Sequence, residues 1–173
     1  MLGTSKVALR NKRMSDARDD YIWQKDPELS RLDATVPLVC SFEEFLADYA
    51  GEVQYPSPGR RPFAIETADG QHIGNCVYYN VDDEKSQAEL GIMIGERDYW
   101  SQGYGTEAMT ALIGHVFRRT RLDRLYLKTL TTNLRAQQCF SKCGLAACGF
   151  LERDGYSFLL MEIHRSQWEF SPP

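Results

Sequence analysis

The sequence predicts an α+β (α/β) fold: a mixed, mostly antiparallel central sheet of about seven strands flanked by about four helices. Three observations carry this. The middle of the chain runs as three alternating segments joined by short polar turns, which reads as an antiparallel meander. A glycine-containing turn then leads into a long stripe with helical spacing. The chain closes on a strand, a short helix and a hairpin. With 173 residues, 43% hydrophobic and 25% charged, the chain suits one compact domain over residues 1–173 whose last few residues form a loose tail.

Each element has a local reason. Residues 6–10 (KVALR) alternate as a first strand. Residues 13–24 read as a helix that Ser15 caps and the Asp26-Pro27 pair ends, with Ala17, Tyr21 and Trp23 supplying apolar surface. Ser41-Phe42-Glu43-Glu44 is a capping box in which Ser41 accepts from the Glu44 backbone and Glu44 reaches back. Phe42, Phe45, Leu46 and Tyr49 follow at helical spacing, and the helix stops near Gly51. Residues 61–67 and 71–80 are strands around an Asp69-Gly70 turn that supplies positive φ angles, and residues 88–94 return as a third strand.

From Gly105 to Arg119, Ala108, Met109, Ala111, Leu112, Val116 and Phe117 form an apolar stripe closed by Arg118 and Arg119. Residues 124–129 are a strand, residues 133–143 a helix ending at Gly144, and residues 147–153 and 156–165 a hairpin through Asp154-Gly155.

Composition narrows the function. Twenty basic against 24 acidic residues give a formal charge of −4, which disfavours nonspecific nucleic-acid binding. No apolar run reaches membrane-spanning length and the first residues lack a signal-peptide core, so the expectation is a cytoplasmic protein without a membrane partner. Five cysteines, Cys40, Cys76, Cys139, Cys143 and Cys148, are an odd, loosely spaced set that reads as reduced thiols. No His or Cys pair stands at zinc-site spacing, so no metal is expected.

The chemistry concentrates in one stretch, Glu89 through Thr106. Gly103 and Gly105 let the backbone turn tightly and bring successive N–H groups into one concavity, and the helix that follows aims its unpaired N–H groups and positive dipole end at the same place. The combination suits a pyrophosphate, the other reading being that Gly-x-Gly only makes a tight strand-to-helix loop. A dinucleotide fold would need this turn early in a parallel βαβ unit, whereas a meander precedes it here, and a Walker loop would need Gly-Lys-Ser/Thr.

Trp100-Ser101-Gln102-Gly103-Tyr104-Gly105 resembles the Arg/Gln-x-x-Gly-x-Gly/Ala signature of the GNAT superfamily of acyl-CoA-dependent N-acetyltransferases, with Trp100 in place of the usual Arg or Gln. Asp98-Tyr99-Trp100 and Thr106-Glu107-Ala108 resemble the branch containing ribosomal-protein N-terminal (alanine) acetyltransferases. A second block, Asn133, Ala136, Phe140, Lys142, Gly144 and Leu145, matches the family's Asn-x-x-Ala segment. The resemblance covers roughly residues 6–165.

The resemblance implies acetyl-CoA as cosubstrate. Gly91, Ile92, Met93 and Ile94 would offer backbone groups to the pantetheine arm. Gln102, Gly103, Tyr104, Gly105 and Thr106 would bind the pyrophosphate, while Asn133, Phe140 and Lys142 would line the pantetheine or nucleotide end. A splay between residues 88–94 and 124–129, aided by a bulge near Gly91 or Gly95, would open the slot.

The acceptor would be an amine, either a small molecule, a polyamine or a protein N-terminus, attacking directly in a ternary complex. Glu89 is read either as the general base, its pKa raised by half-burial in the cleft, or as an ordinary strand carboxylate. Phe140 stands where many relatives carry a tyrosine acid, which leaves Ser141 as the nearest hydroxyl and admits the alternative of an acyl-CoA-binding sensor or interaction module that turns over poorly. Tyr21, Trp23, Asp26 and Glu28 read either as a cation-binding wall or as packing around a helix end. His72, His115 and His164 are dispersed and read as structural. Open sheet edges and aromatic surface leave room for a homodimer.

Overall fold

The computed structural model describes residues 2–3 and 6–169, so the expected loose tail lies outside the described residues. One eight-stranded sheet, in the order β1-β2-β3-β4-β5-β6-β8-β7, runs through them. The strands are β1 (Leu2–Gly3), β2 (Val7–Asn11), β3 (Arg61–Thr67), β4 (His72–Asp82), β5 (Gln87–Ile94), β6 (Arg124–Leu130), β7 (Ala146–Arg153) and β8 (Tyr156–His164). Every neighbouring pair is antiparallel except β5–β6, which is parallel. The two-residue β1 accounts for the difference from the seven strands expected.

Six helices accompany the sheet: α1 (Ala17–Lys25), α2 (Pro27–Leu32), α3 (Phe42–Gln54), α4 (Tyr104–Arg119), α5 (Leu134–Lys142) and α6 (Arg165–Glu169). The helix α4 buries Ala108, Met109, Leu112, Ile113, Val116 and Phe117 against Leu9, Ile65, Leu90, Leu125 and Leu127 of the sheet. Together with Phe140 of α5 they form the main core. The side chain of Arg165 donates to the carbonyls of Phe117 (2.6 Å), Thr120 (3.0 Å) and Leu122 (2.6 Å), which satisfies chain ends left open where α4 stops.

On the opposite face the contact is polar. Arg10 holds Asp16 through two bonds (2.7 and 2.8 Å) and Glu66 at 2.6 Å, and Lys12 holds Asp20 at 2.6 Å. These pairs fasten the start of α1 to β2 and β2 to β3, and the Asn75 amide, donating to Asp20 (2.6 Å), ties α1 to the meander. Further along α1, the Trp23 ring lies over Gly95, where an added Cβ would come within 2.1 Å of the ring. The end of β5 and α1 therefore meet at a distance only glycine permits.

Several expectations need correction. A 3-10 turn over Met14–Asp16 precedes α1, so the residue at the α1 N-cap is Asp16 rather than Ser15, and its side chain makes no capping bond but accepts from the upstream N–H of Arg13 (2.8 Å). Asp26-Pro27 ends α1 but also starts α2, because the Asp26 carboxylate accepts from the N–H groups of Glu28 (2.9 Å) and Leu29 (3.0 Å) and Pro27 occupies the first helical position. The Ser41–Glu44 capping box forms as expected, yet α3 runs through Gly51 to Gln54, since one helical glycine costs only about 1 kcal/mol. In the β3–β4 turn only Gly70 has a positive φ, whereas both Asp154 and Gly155 do in the β7–β8 hairpin.

Candidate active site

Strands β5 and β6 pair only at Gln87–Arg124, Ala88–Leu125 and Glu89–Tyr126. Beyond that point both continue, β5 to Ile94 and β6 to Leu130, without a shared ladder. This is the splay the sequence implied; the β4–β5 register runs unbroken from Gly74–Ile94 to Tyr79–Glu89 and shifts only between Tyr79 and Asp82, so Gly91 carries no bulge, whereas at Gly95 the N–H groups of Gly95 and Glu96 both donate to one carbonyl, that of Ile73, as in a β-bulge. The N–H of Gly95 donates to the Ile73 carbonyl (2.9 Å). Antiparallel alternation then turns Gly91 and Met93 toward β4, and leaves the backbone groups of Leu90, Ile92 and Ile94 facing the gap.

A cleft of about 250 Å³ occupies the gap and takes its lining from both faces of the sheet. On the α4–α5 side it is lined by Trp100, Ser101, Gly103, Gly105, Thr106, Asn133, Arg135, Ala136, Cys139, Phe140 and Lys142. On the other side stand Leu29, Leu32 and Asp33 from the end of α2, with Met93. The expected residues Ile92, Met93, Ile94, Gly103, Gly105, Thr106, Asn133, Phe140 and Lys142 thus gather around one space. Three others do not line it. Gly91 is committed to β4, the Gln102 side chain donates to the Asp98 carbonyl, and Tyr104 packs edge-on against Tyr99 at 4.9 Å.

At the α4 mouth, Ser101 and Gly103 both take left-handed conformations (φ 59° and 89°), and Gly103 begins the helix with no side-chain cap. The first N–H groups of α4 are therefore left for a ligand. Arg135 stacks on the Trp100 ring, 3.6 Å from its centroid, and the Trp100 indole N–H donates to the Ile94 carbonyl (2.7 Å). Lys142 adds a second cation to the cleft wall. A fixed positive mouth built of backbone dipoles and two cations suits an anion with several oxygens.

Cys139 lines the same mouth and receives a bond from the Thr106 hydroxyl (3.5 Å). Hydrogen bonding from the Cys143 thiol, working against burial, brings its pKa down to about 7, while that of Cys143 rises. Sequence spacing put the two sulfurs on one helix face. Only the structure places them beside the turn.

The two expected catalytic residues lie elsewhere. Glu89 sits at the apex of the splay, 3% exposed, accepting from Lys128 (2.7 Å) and Asn80 (3.0 Å). Burial pushes its carboxyl up, but hydrogen bonds from Lys128, Tyr79 and Asn80 together outweigh burial and hold it below the usual range. This is opposite to the raised value a base at neutral pH requires. Ser141 is exposed on a flank of α5 that does not line the cleft, so the hydroxyl is outside the space where a thiolate would leave. The buried Phe140 ring does line it and carries no proton to give.

The proposed cation wall is otherwise engaged. Arg97 pairs with Asp26 (2.8 Å) and Glu28 (3.0 Å), Trp23 donates to Glu96 (3.0 Å), and Tyr21 packs against Phe42 and Phe45. None of the three histidines lines the cleft: His72 pairs with Asp19 (3.0 Å), His115 packs against Phe63, and His164 lies beside Glu162. Asp33, Leu29, Leu32 and Arg135 are cleft residues to which the sequence assigns no role, and Ser101 joins them from within the signature turn. For Arg135 the signal existed, since it falls inside the Asn133–Ala136 block.

The acetyltransferase (GNAT) domain family matches residues 6–146. The chain belongs to that family and is an acetyltransferase. It is 26% identical over 133 residues to a Bacillus licheniformis protein called uncharacterized N-acetyltransferase p20, covering 76% of this chain and 74% of that one. Among solved structures, spermidine N-acetyltransferase from Vibrio cholerae, in complex with CoA and spermine, superposes with a TM-score of 0.84 at 20% identity, over 96% of this chain and 99% of that one. An aminoglycoside acetyltransferase in complex with coenzyme A superposes with a TM-score of 0.78 at 18% identity, over 94% and 97% of the two chains. At such identities the likeness establishes the fold of the acetyltransferase. Among the described residues, no helix is long and apolar enough to cross a membrane, and no group of three or more His, Cys, Asp or Glu side chains is arranged to hold a metal ion.

Proposed function

We propose that the acetyltransferase transfers the acetyl group of acetyl-CoA to a primary amine that attacks directly within the splayed sheet. The observation that carries this is a cleft in the splayed gap, lined on one side by an uncapped helix N-terminus and two cations and on the other by apolar side chains with a carboxylate. In this reading the pyrophosphate lies against residues 101–106, with Arg135 and Lys142 beside it. The pantetheine pairs as an added strand with the gap-facing groups of Ile92, between Ile94 and the apex. Asn133 accepts from the Ala136 N–H (3.2 Å) and so keeps the start of α5 at the cleft wall.

The amine nitrogen attacks the thioester carbonyl, the C–N bond forms as the C–S bond breaks, and the electron pair leaves on CoA sulfur. The acceptor, an ammonium ion in solution, first loses one proton to solvent; the neutral amine that attacks then gives up a second proton, which ends on the CoA thiolate, and the amide keeps the third. With Glu89 held ionised by Lys128 and Phe140 in the usual acid position, catalysis rests mainly on positioning the two substrates and on backbone donors at the carbonyl oxygen. The acceptors in the two structural relatives, a polyamine and aminoglycosides, and the protein N-termini of the branch that Trp100 and Thr106-Glu107 resemble all present a primary amine.

Two measurements test this. Acetyl-CoA titrated into the protein should raise its unfolding temperature, because a ligand at a hundred times its Kd stabilises the folded state by about 2.7 kcal/mol. No shift at millimolar acetyl-CoA refutes the cofactor assignment. Release of free CoA thiol is then followed across alkylamines, polyamines, aminoglycosides and short peptides. Binding without thiol release on any amine would replace the transferase reading with that of an acyl-CoA-binding module.

A further inference from the structure

Asp33 stands out on the wall opposite the phosphate-type mouth. It lines the cleft at the C-terminal end of α2, and its carboxylate has no hydrogen bond or ion pair among the described residues, unlike Asp26 and Glu28 at the start of the same helix. The other acidic group near the apex, Glu89, is already neutralised by Lys128 at 2.7 Å. The acceptor side of the cleft is thus left with one uncompensated negative charge. Beside it lie Leu29, Leu32 and Met93, which are apolar. The Asp33 carboxyl is solvent-exposed at the cleft wall, and the protein around it raises its pKa above the usual range despite the pull of Lys128.

We infer that Asp33 is a specificity-determining residue that docks a second ammonium group of the acceptor, selecting alkylamines whose two cationic nitrogens are joined by a methylene tether. This inference rests on the transferase reading above. Methylenes lie along Leu29, Leu32 and Met93, one nitrogen is held by the Asp33 carboxylate through a charge-assisted bond, and the other reaches the thioester at the apex. A monoamine has the same reactive nitrogen but nothing to place against Asp33. The leucine–methionine surface also disfavours a strongly hydroxylated acceptor, whose oxygens would lose water there without partners.

The test compares kcat/KM for 1,4-diaminobutane and butylamine in the wild type, Asp33→Asn, Asp33→Glu and a control, Glu152→Gln, whose exposed carboxylate lies on β7 away from the cleft. The wild type should prefer the diamine at least tenfold. Asp33→Asn should collapse that ratio toward one, mainly through KM for the diamine. Asp33→Glu should restore part of the preference, and Glu152→Gln should keep it. Equal acetyl-CoA affinity in all four proteins shows that the fold and the cofactor mouth are intact. A wild type indifferent to the second charge, or a diamine preference that survives Asp33→Asn, overturns the inference and leaves the transferase reading standing. A wild type that acetylates no amine overturns both.

Discussion

Replacing Lys128 by Met removes the cation that lets Glu89 stay ionised at the splay apex. Deleting one partner of a buried pair costs about 3–5 kcal/mol when the other charge is left stranded. Here Lys128 is 31% exposed at its side chain, and Asn80 and Tyr79 still donate to Glu89, so solvent screening and the remaining donors should bring the loss below that range, to about 2–3 kcal/mol. For a domain of this size that corresponds to a fall in Tm of roughly 4–12 °C. The pH dependence is more diagnostic. In the wild type, the Glu89 carboxyl lies below its unfolded value of 4.5, so its contribution is fully present above 4.5 and is lost as pH falls through the folded value. Without Lys128, burial is the dominant influence and the folded value rises above 4.5. The folded state then binds more protons than the unfolded one, and stability falls as pH climbs from 4.5 toward neutrality. Urea unfolding of both proteins between pH 4.5 and 7.5 measures the two slopes, and adding Glu89→Gln to the variant should remove the reversed slope. A loss under about 0.5 kcal/mol at pH 7.5, or a variant whose stability does not fall relative to the wild type's as pH rises from 4.5, would refute the account of the apex.

Two further outcomes follow from the cofactor mouth. Gly103→Ala forces a side chain into a φ of 89°, at a cost of about 1–2 kcal/mol, and should weaken acetyl-CoA binding at least tenfold by calorimetry; unchanged affinity in a destabilised variant would show that this turn does not hold the phosphates. Iodoacetamide at pH 7 should label Cys139 ahead of the exposed Cys148, because its pKa near 7 leaves about half of it as thiolate. Acetyl-CoA should protect it. Labelling that is indifferent to the cofactor would remove Cys139 from the cleft wall.

The parts of the fold legible in the sequence were those set by local chemistry. The Ser41–Glu44 box, the stripe on α4, the meander and the final hairpin are specified by residues close together in the chain, and all appear. The helix α2 was missed because Asp26-Pro27 has two meanings, a stop for the chain before it and a cap for the chain after it. The site divided along the same line. Gly103, Thr106, Asn133 and Lys142 belong to compact motifs and come together around the cleft. Glu89 was judged by its position on a strand, yet its proton affinity depends on Lys128, 39 residues away, which β5–β6 pairing delivers. Asp33 carries no motif at all. Its significance lies in what fails to pair with it, and no sequence pattern records an absent partner.

The Trp100 substitution looks at first like a loss, since an Arg or Gln at that point would bring its own polar head to the turn. The geometry argues otherwise. The indole N–H occupies the Ile94 carbonyl, so the gap-facing edge of β5 is closed at its outer end and the groups of Ile92 remain as its open stretch. The ring face meanwhile carries the Arg135 guanidinium at 3.6 Å, a contact that fixes a charge donated by α5 against an aromatic from the turn. The cation of the usual signature is therefore supplied from a different element and held by the residue that replaced it. Because the stack ties the turn before α4 to the first turn of α5, the two walls of the proposed phosphate mouth are set relative to each other before any ligand arrives, and in that reading less ordering is left for the cofactor to impose.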